Sequence, residues 1–378
     1  MKQTPSVLRI LLFSVVGVLV CVLSSCSGNA DKALPPGDTL THTSSLMTIV
    51  DHGDFVSVTI ADPWSDGKAT KRYALVSRDS KADNIPEDMT VIKTPVQSAA
   101  VFSSVHSAPL EELGATDIIR GVADADYFTS PVIRSGLADG RIADVGNSMS
   151  PSLETLINLS PDVAIVSPYQ GADFSAISKT GIAVVEMVDY MEPTPLGRAE
   201  WILLLGALTG RLDQAKNIYA NVCDSYNKLA KLASQTTSRP LVVTDTEYSG
   251  QWAQPGGASY AARMITDAGA RVLFADRNIN GSVNSDYALV YEKGSGADFW
   301  LIRYFGNLTP DMLRAANSLN SSFKAFSDHK VYFSDTSTSG FYDDIAFHPE
   351  KILADYVAIF HPELSPGYSP RYFRNLFK

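Results

Sequence analysis

The chain has 378 residues, 45% hydrophobic and 19% charged, an ordinary balance that excludes a wholly disordered or many-spanning membrane protein. About 100–200 residues per domain predicts two domains, each large enough to bury its own core. Its 31 Lys and Arg against 41 Asp and Glu leave a net charge of −10, which argues against a nucleic-acid-binding protein, since that would carry a basic face.

Lys2 and Arg9 flank the start of a 14-residue run from Ile10 to Leu23, interrupted only by Ser14 and Gly17. That run is short for a bilayer span and has the length of a signal-peptide core. It ends in Leu23-Ser24-Ser25-Cys26, which resembles the lipobox of bacterial lipoproteins. The expectation is a signal peptide over 1–25, cut before Cys26, whose thiol and new amine are acylated. The weaker alternatives are a plain secretory signal and a single membrane anchor. Residues 26–45, with Pro35-Pro36-Gly37, are expected to be a tether. Cys223 is then the remaining thiol, which leaves no intramolecular disulfide and no cysteine metal site. Lying on a helical pattern, it reads as a small core residue.

Residues 46–90 predict a β-rich extension, because Leu46–Val50, Phe55–Ile60 and Tyr73–Ser77 alternate in strand fashion around Asp62-Pro63 and Asp66-Gly67. From 91 to 195 the pattern becomes strand–helix–strand: strands at 96–103, 117–122, 142–145, 162–166 and 182–187, with helices at 108–113 and 152–159. Repeated short apolar strands with helices between them predict a parallel sheet with right-handed crossovers. Thr194 and Pro195 open a helical segment over 196–239. Within it, Leu212 to Ser234 is 23 residues, about 35 Å if helical, enough to run from one lobe to another. A second lobe spans 240–378, with strands at 241–244, 298–303 and 331–334 and helices at 259–268 and 349–360. The fold class is α/β: two parallel-sheet lobes bridged by a single long helix. Ligands of such sheets bind beyond the carboxyl ends of the strands, so the interlobe cleft is the expected site.

Catalytic signatures fail. There is no Walker A sequence, and Gly294-Ser295-Gly296 lacks the third glycine and the strand context of a dinucleotide fingerprint. Gly257-Ala258-Ser259-Tyr260-Ala261 misses the hydrolase nucleophile elbow by its last glycine, so Ser259 reads as a helix cap. The six histidines never fall at a zinc-like spacing. The chain therefore reads as a non-enzyme with no catalytic residues, no resident metal and no cofactor. What remains is aromatic and polar residues in loops at strand ends: Ser104, His106, Tyr127, Tyr169 and Tyr190 from the first lobe, and Trp252, Arg303, Tyr304 and Tyr342 from the second. Such a set suits a broad or macrocyclic ligand through stacking and selective hydrogen bonds. Arg303 would grip a ligand carboxylate bidentately, unless it pairs with a neighbouring acid such as Asp298.

These residues also carry a resemblance. The run 96–122, with Leu113-Gly114-Ala115 and Ile118-Ile119-Arg120-Gly121-Val122, is similar to the opening of substrate-binding proteins of iron-siderophore, haem and cobalamin ABC importers. Asp144-Val145-Gly146 with Leu159-Ser160-Pro161-Asp162, Pro195 to Trp201, Pro255 to Tyr260 with Asp267-Ala268-Gly269, and Ala297 to Trp300 resemble later segments of that family in order. The resemblance implies a helical-backbone chelate receptor: a monomer, lipid-anchored to a bacterial membrane and facing the periplasm, with outer-membrane or surface display as the alternative. It would capture an iron chelate, haem or corrinoid and deliver it to an ABC permease with its ATPase. Two departures stand out. The positions where the family presents a docking Glu on each lobe hold Ala108 and Arg263, with Glu111, Glu112 and Asp267 nearby. The place of the axial tyrosine of several haem-binding members holds Asn147, leaving His106 or Tyr169 as substitutes. The alternatives are a surface lipoprotein that uses the fold to bind a partner and, more weakly, a tetrapyrrole chelatase.

Overall fold

The computed structural model describes residues 34–65, 69–81 and 85–378. The signal peptide, Cys26 and the start of the tether lie outside these residues, as does the Asp66-Gly67 turn. Among the described residues no helix is long and apolar enough to cross a membrane.

The described residues form three five-stranded sheets and two small two-stranded ones. The N-terminal one pairs Asp38–Thr39, Met47–Asp51, Val56–Ala61 and Ala69–Ser77 antiparallel, then adds Thr90–Thr94 parallel to the last. The alternating pattern predicted three of these strands; the parallel fifth was not expected. The first-lobe sheet runs in the order Ala183–Glu186, Val163–Val166, Ala99–Val101, Ile119–Val122, Ala143–Asp144, all parallel. Covered on both faces, its central strands are buried along their whole length, and so read as unbroken apolar runs. The second-lobe sheet runs Arg271–Val272, Leu241–Thr244, Phe299–Tyr304, Val331–Asp335, Arg374–Asn375. Its last strand is antiparallel, so this sheet is mixed at one edge rather than wholly parallel.

The helix Leu212–Ser234 keeps the predicted bounds. Its buried residues Ala215, Val222, Tyr226 and Ala233 fall on one stripe. Ala215 belongs to the first lobe's core, while Tyr226 and Ala233 belong to the second's, so one helix closes both cores. Its start packs on the helix Ile202–Thr209, which is apolar nearly all round because it lies inside the core. A Cβ added at Gly206 would sit 2.5 Å from Cβ of Ala215, so this crossing requires glycine.

The N-terminal extension is tied to this helical segment by two buried carboxylates. Glu192 accepts from the Ser45 amide (2.9 Å), the Ser45 hydroxyl (2.9 Å), the Leu46 amide (3.1 Å), Ser44 Oγ and Trp201 Nε1 (3.0 Å). Glu200 accepts from the amides of His42, Thr43 and Ser44 at 2.7–2.9 Å. Both are nearly inaccessible to solvent, and saturation by donors is what lets a carboxylate be buried.

Candidate functional site

A cleft of about 530 Å³ opens between the lobes, within the range of small-molecule sites. Its first-lobe wall is the set of loops leaving the carboxyl ends of four parallel strands. Phe102 to Val105 follow Ala99–Val101, Asp124 to Thr129 follow Ile119–Val122, Ser148 lies beyond Ala143–Asp144, and Ser167 follows Val163–Val166. The second-lobe wall is Phe305, after Phe299–Tyr304, with Thr336, Ser337, Gly340, Tyr342 and Asp343, after Val331–Asp335. Parallel pairing brings all these ends to one edge of each sheet. Tyr127, Phe305 and Tyr342 are exposed by 65%, 69% and 43%, so this stretch of the cleft wall offers several partly open rings together. Serine and threonine hydroxyls stand between them. An adjoining depression shares Asp124, Asp126, Tyr127 and Phe305 and adds Asp144 and Asn147.

Of the nine residues expected at the ligand, the structure places Ser104, Tyr127 and Tyr342 in the cleft. The other six lie elsewhere. His106 is buried, its Nε2 2.9 Å from Oδ1 of Asp189, and does not reach the cleft. Tyr169 lines a separate groove with Met149, Leu153 and Phe174. Tyr190 donates its hydroxyl to the Pro168 carbonyl at 2.7 Å. Trp252 is fully buried, ringed by Trp300, Tyr287 and Phe323, with Nε1 donating to the Thr244 carbonyl at 2.8 Å. It is a core residue, because it begins the strand Trp252–Pro255, paired antiparallel with Ser282–Ser285, instead of standing in a loop. Arg303 is engaged by Asp245, not Asp298: Nε donates to Oδ1 at 3.0 Å and Nη2 bonds Oδ2. The Asp245 charge beside it holds this guanidinium firmly protonated. Asp298 instead accepts from the Leu241 amide and Lys324. Tyr304 turns the other way along the strand, into a second-lobe pocket with Tyr287, Leu308 and Met312.

Conversely, Asp124, Asp126, Thr129, Phe305, Thr336, Ser337 and Asp343 line the cleft without having been expected there. Three of them adjoin an expected residue: Asp126 beside Tyr127, Phe305 beside Tyr304 and Asp343 beside Tyr342. Burial pushes the Asp343 carboxyl above the usual range, partly offset by Thr129, whose hydroxyl donates to it at 3.1 Å across the cleft.

The lobes meet at further points around the helix. Asn280 Nδ2 donates to the Met191 carbonyl at 2.6 Å. Arg198, paired with Asp189 at 2.9 Å, also lies over the Tyr260 ring, 4.8 Å from its centroid. Although burial opposes it, this pairing with Arg198 and His106 holds the Asp189 carboxyl below its ordinary value. Of the acids near the family's docking positions, Asp267 is taken by Arg263 (2.9 Å) and the Tyr226 hydroxyl (2.9 Å). Among the described residues, no group of three or more His, Cys, Asp and Glu side chains is placed to hold a metal ion.

Comparison with known proteins agrees with this architecture. Residues 100–290 match the sequence pattern of the family described as periplasmic binding protein. An uncharacterized lipoprotein of Methanocaldococcus jannaschii is 26% identical over 352 residues, 87% of this chain and 83% of its own length. The petrobactin-binding protein of Bacillus subtilis is 27% identical over 247 residues, 61% of this chain and 73% of its own. Among solved structures, a periplasmic binding protein from Veillonella parvula superposes with a TM-score of 0.61 at 14% identity, over 82% of this chain and 99% of that one. A periplasmic heme binding protein from Pseudomonas aeruginosa gives 0.57 at 17% identity, over 73% and 96%. The chain belongs to the periplasmic binding protein family, whose members are substrate-binding proteins rather than enzymes.

Proposed function

We propose that this protein is the lipid-anchored, extracytoplasmic substrate-binding component of an ABC importer, and that it captures an iron chelate, haem or corrinoid in the interlobe cleft. The observation that supports this most is the cleft itself, built from the carboxyl ends of both sheets and presenting exposed Tyr127, Phe305 and Tyr342 among hydroxyls. Flat faces for stacking and short polar groups for selection suit a bulky oxygen-rich chelate or a macrocycle. The lipobox-like Leu23 to Cys26 and the lipoprotein relatives support the anchor, and three acyl chains would hold it firmly. The ligand brings its own metal, so no resident cofactor is needed.

A partner-binding module is the second reading, favoured by Ala108 and Arg263 at the docking positions, the latter paired within its own helix. A thermal-shift and absorbance panel with haemin, cobalamin, cobinamide and several ferric siderophores separates the two. A ligand that binds only the folded state raises apparent stability in proportion to RT ln(1 + [L]/Kd). Capture requires at least one clear shift. Silence across the panel with a well-folded protein moves the weight to the partner-binding module.

A further inference from the structure

The cleft is lined by three carboxylates, Asp124, Asp126 and Asp343, and by no lysine, arginine or histidine among the described residues. The depression that continues it adds a fourth, Asp144. Their neighbours orient these groups without cancelling their charge. Asp124 accepts from Asn147 Nδ2 at 3.0 Å and the Ser148 hydroxyl, Asp144 from the Gly146 amide, and Asp343 from the Thr129 hydroxyl. Asp126 is exposed and has no side-chain partner among the described residues. Among the bases nearby in sequence, Arg303 is bound to Asp245 and Arg141 to Asp139, while Arg134 donates to the Ala125 carbonyl and makes no ion pair with an acid of the set. The start of the Ser104–Glu112 helix offers only the partial positive charge of one helix end.

A concave, partly desolvated wall of one sign concentrates its field on whatever enters. Like charges brought against it are repelled more strongly than in water, so discrimination comes from rejection as much as attraction.

We propose that the cleft selects cationic chelates or macrocycles and rejects polyanionic ones, with Asp124, Asp126 and Asp343 as the specificity-determining residues. This rests on the ligand-capture reading and narrows it. The aromatic rings and hydroxyls hold the body of the ligand, while the carboxylates face its cationic group. For Asp343, a cation also offsets the desolvation that burial imposes on its carboxylate.

The test uses the full chain in detergent and three probes. Ferrioxamine B is a ferric hydroxamate with a pendant ammonium; its N-acetyl derivative keeps the iron coordination and loses the charge; ferric enterobactin is a polyanionic catecholate. The expected order is ferrioxamine B tightest, the acetylated form about tenfold weaker or more, and ferric enterobactin weakest, with the first gap shrinking as salt rises. The D124N/D126N/D343N variant should bind both hydroxamates alike. Asp124 has φ of 52°, a conformation asparagine also tolerates. Should the triple variant fail to fold, D126N alone must narrow the gap, since Asp126 is exposed and unpaired. Equal affinity of the wild type for the two hydroxamates overturns the proposal. Tighter binding of ferric enterobactin overturns it while leaving ligand capture standing. Failure of all three probes to bind also overturns it, while ligand capture itself is then decided by the haemin, cobalamin and cobinamide arms of the panel.

Discussion

His348 joins the two lobes: its Nε2 lies 2.7 Å from Oε2 of Glu112, at the end of the first lobe's Ser104–Glu112 helix. Its Nδ1 lies 2.9 Å from Oε1 of Glu350, in the first turn of the second lobe's Pro349–Phe360 helix. Burial and the nearby Lys351 disfavour the imidazolium, but the hydrogen bonds it donates to the Glu112 and Glu350 carboxylates prevail and push His348 up to about 9 from 6.5. Because the folded value lies above the unfolded one, its stabilisation is fully present below pH 6.5 and is lost as pH rises through about 9. With Glu112 partly exposed, about 1–2 kcal/mol is the expected size. Denaturant unfolding at pH 6 and pH 9.5 should show that loss in the wild type and little of it in His348→Gln. Parallel pH profiles for the two proteins would remove His348 as the cause.

Glu192 holds five donors from the N-terminal extension and Trp201. Glu192→Ala strands these donors in a buried site, so a destabilisation of about 3–5 kcal/mol is expected. Limited proteolysis should then cut near residues 42–46 while the two lobes remain intact. Unchanged protection of that segment would show that its strands, not the carboxylate, hold it in place.

Trp252 separates core from site. Trp252→Phe removes the indole donor to the Thr244 carbonyl and part of a packed aromatic cluster. It should cost about 1–3 kcal/mol of stability. Chelate affinity, measured well below the melting temperature, should stay within about twofold, since 0.4 kcal/mol would move it no further. A tenfold loss of affinity at intact stability would put Trp252 back among the binding residues.

Much of this fold was legible in the sequence because it rests on local signals. The helix 212–234 lies between Gly210 and the loop to Pro240, and carries an apolar stripe. Ser259 caps its helix by accepting from the Ala262 amide, and Pro349 opens the last one. The strand-end rule located the cleft. Which strand-end residues face it was less legible, because that depends on side-chain direction. Along Phe299–Tyr304, neighbouring residues point to opposite sides of the sheet. Arg303 therefore meets Asp245, Tyr304 enters another pocket, and Phe305, one step on, lines the cleft. That Asp124, Asp126 and Asp343 line one cleft is likewise not legible in the sequence, because they come from separate loops of two lobes and meet only in the folded chain. The fastening of the extension by Glu192 and Glu200 spans roughly 150 residues of chain, as in Glu192 to Leu46, 146 apart, so no local pattern could announce it.

The most direct test of the central claim is isothermal titration of the tightest-binding chelate from the panel into the wild type and into Y127A/Y342A. Both rings are exposed and line opposite walls of the cleft, so their loss should leave the melting temperature nearly unchanged. The account expects one-to-one binding by the wild type and a loss of about tenfold per ring in the double variant. Equal affinity of the two proteins would contradict it, and would mean that the ligand is held somewhere other than the cleft between the lobes.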